Sequence, residues 1–205
     1  VENLTMENKY RSFLHPLRTI IAPPKETLKV WDELNQKRKV IGIGGIDAHA
    51  HKYNLVGFLE VEIFPYKVLF KSIRTHILID EAIKKGKSAK ELEKAKWQIY
   101  NSLKDGRCFV ANDYVAESKG FRFYAEFDDV KYQMGDTIPD HKNVTFKVYL
   151  PGITAEIKLL RNGHIIETNK GIDAEFVVNK KGAYRIEVYH EDRAWIYSNH
   201  IRVNI

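Results

Sequence analysis

Val40-Ile-Gly-Ile-Gly-Gly-Ile-Asp-Ala-His-Ala-His51 is the stretch around which the rest of the chain is read. A short apolar run (Val40, Ile41, Ile43) meets Gly42, Gly44 and Gly45 and then alternating polar and small residues, the pattern of a strand ending in a functional loop. Side chains two apart on an extended backbone point the same way, so Asp47, His49 and His51 share one face and Ala48 and Ala50 turn away. Imidazole with carboxylate suits zinc, manganese or iron. Such ions take about four to six ligands, so one strand end cannot complete a site. The same spacing also fits a helix-capping Asp beside a surface His, and the glycine pair a simple bend. A phosphate-cradling loop is excluded, because Gly42-x-Gly-Gly lacks the Lys and the Ser/Thr that such loops need.

Upstream, residues 1–24 hold Tyr10, Phe13, Leu14, Leu17, Ile20 and Ile21 and end at Pro23-Pro24, which stops regular structure. His15 reads as a packed or exposed loop residue, since it precedes Pro16, and Arg18 has no motif to support a phosphate role. From Lys25 to Lys39, Leu28, Trp31 and Leu34 recur at helical spacing and predict an amphipathic helix packed on a strand at 39–44. The order helix, strand, ligand loop fits the end of a β/α barrel, whose sites lie at the C-terminal ends of its strands.

Downstream, residues 50–76 predict a loop with extended pieces covering the site, and Arg74 and His76 read as strand-end salt-bridging residues or as phosphate binders. Ser88-Ala-Lys-Glu91 is a capping box, and Leu92, Ala95, Ile99 and Leu103 predict a buried helical stripe stopped at Gly106. Cys108 lies in an apolar run and reads as a core strand residue. Asp113, in Asn112-Asp-Tyr, reads as a turn former rather than a ligand.

Beyond Gly120 the periodicity changes to two. Phe121/Phe123/Ala125/Phe127, Val144/Phe146/Val148, Ile157/Leu159, Ile165, Phe176/Val178, Ile186/Val188 and Ile201/Val203 predict roughly seven short strands of an immunoglobulin-like sandwich. Arg161-Asn-Gly163 signals a hairpin turn, and Gly182-Ala-Tyr184 marks a structural tyrosine corner.

The run from Val40 to Ala50 resembles the last metal-binding motif of the PHP (polymerase and histidinol phosphatase) family. It looks most like the branch of metal-dependent phosphoesterases that carry an extra domain after the catalytic barrel. Trp31-Asp-Glu-Leu, Phe64-Pro-Tyr, Arg74-Thr-His-Ile-Leu, Gly182-Ala-Tyr-Arg-Ile-Glu-Val and Trp195-Ile-Tyr-Ser-Asn agree with it, so the likeness covers most of the chain. The resemblance implies an α/β fold, the C-terminal part of a PHP-type β/α barrel over residues 1–120, followed by an all-β immunoglobulin-like sandwich over 121–205. It implies Asp47 and His49 as ligands of divalent metal ions (Mn, Zn or Fe) and a small-molecule phosphate ester as substrate. It carries nothing over to His51. Such proteins begin with a His-x-His motif, and none occurs upstream of residue 42, where His15 stands alone. The chain therefore reads as the C-terminal part of a longer enzyme, inactive by itself.

The 205 residues are 44% apolar and 12% aromatic, enough for one large or two small globular domains. No run of about 18 apolar residues occurs, which argues against a membrane span. A single cysteine excludes an internal disulfide and permits a reducing, cytoplasmic compartment. The net charge of +6 belongs wholly to residues 1–120, with 21 basic and 15 acidic side chains against 12 of each beyond. The lysines are spread among glutamates, which reads as a solvated surface and argues against nucleic acid as a partner. Exposed apolar edges of a partial barrel favour homo-oligomers. The other class the sequence offers is a non-catalytic carbohydrate- or protein-binding module, with Tyr189, Trp195 and Tyr197 as a stacking surface; their burial or exposure discriminates.

Overall fold

The computed structural model describes residues 22–46, 48–49, 51–55, 57, 59–63, 66–83 and 88–205. Helix α1 (Lys25–Asn35) leads through an irregular segment to a hairpin, β1 (His51–Leu55) and β2 (Leu59–Ile63), then to the one-turn helix α2 (Tyr66–Leu69) and strand β3 (Ile73–Ile77). Helix α3 (Ala89–Asp105) and β4 (Cys108–Asn112) follow. The remainder is all strand: β5 (Arg122–Phe127), β6 (Val130–Gln133), β7 (Thr137–Ile138), β8 (Val144–Tyr149), β9 (Ala155–Arg161), β10 (His164–Gly171), β11 (Asp173–Val178), β12 (Gly182–His190), β13 (Arg193–Ser198) and β14 (Ile201–Val203).

Two sheets dominate. The larger runs β10-β9-β12-β13-β4-β3, with β14 also on β12 and β7 alongside β14; the smaller runs β11-β8-β5-β6. Period-two burial builds the core between them, with Phe123, Ala125, Phe146 and Val148 of the small sheet meeting Tyr184, Ile186, Val188 and Trp195 of the large one. Phe146 and Tyr184 rings lie 4.9 Å apart across the sheets, and Phe109 and Phe121 4.8 Å. The predicted turn is present: Asn162 and Gly163 both take positive φ and join β9 to β10. The Tyr184 hydroxyl donates to the Lys180 carbonyl, the structural role expected of it. The capping box also forms, with the Ser88 side chain accepting from Glu91 N and Glu91 Oε2 accepting from Ser88 N at 3.0 Å.

The expected fold class is corrected. An α/β barrel portion followed by a separate immunoglobulin-like sandwich needs parallel strands alternating with helices in its first part. Instead, β1 and β2 form an antiparallel hairpin, and β3 and β4 pair antiparallel, Ile73 opposite Asn112. β4 then pairs with β13, so strands from before and after residue 120 share the larger sheet. The structure is mostly β, with no β/α barrel portion among the described residues. The predicted strand at 39–44 joins no sheet, because its backbone bonds to side chains instead of to a neighbouring strand. The α3 stripe is not a buried core either: Leu92 is exposed, and Ala95, Ile99 and Leu103 are only half-buried. None of the described helices is long and apolar enough to cross a membrane.

Helix α1 meets the large sheet through polar residues, and its buried side chains are Asp32 and Asn35. The predicted apolar positions Leu28, Trp31 and Leu34 are half-buried. Alternation along β12 sends Tyr184, Ile186 and Val188 into the core and Arg185 and Glu187 to the other face. There the Arg185 guanidinium makes a bidentate pair with Asp32 at 2.6 and 2.7 Å and reaches Glu187 at 2.7 Å. His200 Nε2 lies 2.7 Å from the same Asp32 oxygen, and its ring packs edge-on against Trp31 at 4.6 Å. Burial alone would raise the Asp32 carboxyl, but the bonds from Arg185 and His200 more than offset this and hold it below its ordinary value. Burial pushes the His200 imidazole down, and the Asp32 carboxylate only partly offsets it. His200 is thus neutral near pH 7, donating from Nε2, while buried Nδ1 makes no hydrogen bond among the described residues.

Removing one partner of a buried ion pair leaves an uncompensated charge. Asp32→Ala is therefore expected to cost about 3–5 kcal/mol in urea unfolding; a loss under about 1 kcal/mol would show that the pair does not hold the helix. The pH dependence has a fixed sign. With His200 depressed in the folded state, the unfolded chain binds more protons below about pH 6.5, so stability is full above that value and falls as pH descends. The depressed Asp32 adds stability that is present above about pH 3.9 and lost as pH falls through its folded value. His200→Asn should flatten the upper limb of this profile; an unchanged slope between pH 5 and 6.5 would contradict the assignment.

Candidate functional site

The segment that leads into Asp47 and His49 is irregular in backbone yet bonded along its length. Trp31 Nε1 donates to the Val40 carbonyl at 2.9 Å, and Asn35 grips the same residue twice, Nδ2 to Val40 O at 3.0 Å and Val40 N to Oδ1 at 3.2 Å. Two residues on, Asn199 clamps Gly42, accepting from its N–H at 2.7 Å and donating to its carbonyl at 3.0 Å. A further two residues on, the Thr75 hydroxyl accepts from Gly44 N and donates to Gly44 O, both at 2.9 Å. Each side chain does for this segment what a strand neighbour does in a ladder, so the buried backbone groups are satisfied without a sheet.

The glycines have a steric purpose. A Cβ on Gly42 would stand 2.5 Å from the Trp31 ring, and one on Gly44 2.4 Å from Val110 Cγ1, whereas one on Gly45 would meet nothing within 4 Å. The first two are needed for close approach to the helix and the sheet, and the third has open space beside it.

Asp47 lies outside the described residues. His49 is described and solvent-exposed, just past the last anchor. The backbone of His51 opens β1. His76 and Arg74 are not brought to this segment: on β3 they alternate with Thr75, whose hydroxyl holds Gly44, and so face the other way. His76 stacks on Phe109 at 4.8 Å, its Nε2 2.9 Å from Asp113 Oδ2 and 3.0 Å from Ser118 Oγ. Arg74 reaches Asp113 at 3.2 Å. Strand-end salt bridging is thus the observed arrangement.

Ser118, His76 and Asp113 carry the residue types of a nucleophilic triad without its geometry. Ser118 is fully buried and gives its proton to Asp113 Oδ1 at 2.6 Å. Serine and aspartate also meet the same ring nitrogen, so no imidazole relays a proton between them. The cluster fastens the turn after β4. Cys108 is inert for a similar reason: burial pushes its thiol up to about 11, against a weaker opposing bond from Asn199. Trp195 and Tyr197 are buried and Tyr189 half-buried, its hydroxyl 3.0 Å from that of Tyr197; this favours core over a carbohydrate-stacking surface.

Sequence reasoning missed Asn35, Thr75 and Asn199. Asn35 carries a faint local signal, a poor helix former near the end of a helical pattern. Thr75 and Asn199 carry none, because their partners lie 31 and 157 positions away.

As to a metal ion, the donor types fit and the number does not. An exposed imidazole at the end of an anchored segment, with a carboxylate two residues before it in sequence, suits a borderline divalent cation. No group of three or more His, Cys, Asp or Glu able to hold one is found among the described residues. No family model matches the chain, and neither a curated protein nor a solved structure is found similar to it.

The anchors predict a graded response to adding a single methyl group. Gly42→Ala should cost about 1–3 kcal/mol through overpacking against Trp31, whereas Gly45→Ala should stay within about 0.5 kcal/mol. Equal losses in chemical denaturation would contradict the steric reading.

Proposed function

We propose that this chain is the C-terminal portion of a divalent-metal-dependent phosphoesterase of the PHP type, contributing Asp47 and His49 as ligands to a metal centre. The observation that carries the reading is the anchoring of residues 40–44 by Trp31, Asn35, Asn199 and Thr75 immediately before the Asp-x-His motif. Ligands on an unheld loop lose entropy on coordination; a segment held from three elements has already lost much of it. Together with the motif's likeness to the family, this favours a delivery role over a simple bend.

Two donors fill at most half of a shell of about four to six. In this reading the remaining ligands come from polypeptide outside the described residues. When bound, the ions supply Lewis-acid polarisation of a phosphate ester and acidify a water molecule. The chain's own part is positional. Asn199 and Thr75 fix the backbone of Gly42 and Gly44, which in sequence leads into Asp47 and His49. The substrate class is a small-molecule phosphate ester.

The test is metal binding measured apart from catalysis. Calorimetric titration with Mn²⁺ and with Zn²⁺ should give weak binding to the wild-type chain, lowered at least about tenfold, roughly 1.4 kcal/mol, in Asp47→Ala/His49→Ala and unchanged in the distant control His164→Ala. Loss of one ligand pair without loss of affinity would remove the proposal. Asn199→Ala should weaken the same binding with both ligands intact, because it frees the backbone that presents them.

A further inference from the structure

A cleft lies between the β3–β4 side of the larger sheet and β5–β6 of the smaller one. One wall is the end of β3, continuing through Ile77–Asp80, with Arg107 just before β4; the other is Lys119, Arg122 and the β6 residues Lys131 and Gln133. Its volume is about 450 Å³, within the range of small-ligand sites. Buried Phe109 and half-buried Leu78 add apolar surface to its lining, and the Leu78 N–H is tied to the Arg107 carbonyl at 2.8 Å.

Cationic side chains converge here from separate elements, and three of them are held in place. Arg107 is paired with Asp136 at 3.0 Å, Arg122 donates to the Phe121 carbonyl at 2.9 Å, and the Lys131 ammonium sits 3.5 Å from the centre of the Tyr124 ring. Of the nearby acids, Asp136 is set against Arg107, Asp80 stands on the lining, Glu117 accepts from the Lys119 backbone N–H at 3.1 Å, and Glu126 is engaged by Lys147 at 2.9 Å. Among the described residues only Arg107 of the four cations is in an ion pair; Lys119, Arg122 and Lys131 have no carboxylate bonded to their charged ends. Pre-oriented cations around a partly apolar cleft stabilise an anion at small reorganisation cost. Arginine's remaining planar N–H donors can meet two oxygens of a phosphoryl group at once.

We infer that this cleft binds the phosphate group of a small phosphorylated molecule, with its apolar or ring portion against Phe109 and Leu78. Because His76 and Thr75 alternate on β3, the cleft opens on the opposite side of that strand from the Gly44 anchor. It is therefore a separate site from the metal-ligand segment, and the inference stands whether or not that segment holds a metal. Sequence alone hid it: Arg107, Lys119, Arg122 and Lys131 are spread over 25 positions among acidic residues and read as an ordinary solvated surface.

Calorimetric titration of the full chain with sodium pyrophosphate tests this, with EDTA present and ionic strength held constant by NaCl. The expected result is saturable one-to-one binding, weakened at least about tenfold in Arg122→Ala/Lys131→Ala and unchanged in Asp47→Ala/His49→Ala. The exposed single variant Lys119→Gln, which disturbs no described bond of its side chain, should bind more weakly with an unaltered melting temperature. The inference is overturned by an absence of saturable binding, by wild-type affinity in the double or the single variant, or by citrate binding as tightly as pyrophosphate.

Discussion

The ion pair between Arg185 and Asp32 is the contact on which the arrangement of the N-terminal segments depends. A guanidinium buried on the outer face of a sheet is costly unless several acceptors surround it. Asp32, from a helix 153 positions away, and Glu187, on the same strand, supply them. Helix α1 is therefore held by a directional charge pair more than by an apolar stripe. A bidentate pair fixes rotation of the helix as well as its distance. With α1 so oriented, Trp31 and Asn35 point their donors at Val40, and Arg202 Nε reaches the carbonyl of Asn35 at the helix end.

From that point a continuous series of side-chain bonds runs outward: Val40 to α1, Gly42 to Asn199, Gly44 to Thr75. Asn199 directly precedes His200, which itself binds Asp32. One short stretch after β13 thus serves both the ionic cluster and the anchored segment 40–44, so disturbing the buried charges should be felt at Gly42. The glycines permit this closeness, and the indole that limits Gly42 is the same one that caps His200. The basic cleft, by contrast, is walled by the end of β3 and Arg107 on one side and by Lys119, β5 and β6 on the other, and no α1 residue lines it.

Much of the strand content was legible because alternation is a local signal. Phe121, Phe123 and Ala125, then Val144, Phe146 and Val148, fall on the core face as their spacing indicates. Asn162-Gly163 turns where positive φ is cheapest, and Ser88 with Glu91 caps α3. Pairing partners were not legible. The order of helices and strands before residue 120 is compatible with parallel crossovers, and only the antiparallel register of β3 on β4 and of β4 on β13 shows one extended sheet. At the candidate site the carboxylate and imidazole were readable as chemistry, while the residues that hold their segment were not.

The amino-acid order by itself determined the local elements, the turns, the helix cap and the Asp-x-His motif, because each depends on residues a few positions apart. Only the tertiary structure decided that residues 40–44 are clamped by side chains rather than laddered, that α1 docks by charge, and that four scattered cations line one cleft. Those outcomes rest on contacts between residues as far as 157 positions apart. Their free energy comes from burial and directional bonding that exist only after the chain has closed on itself.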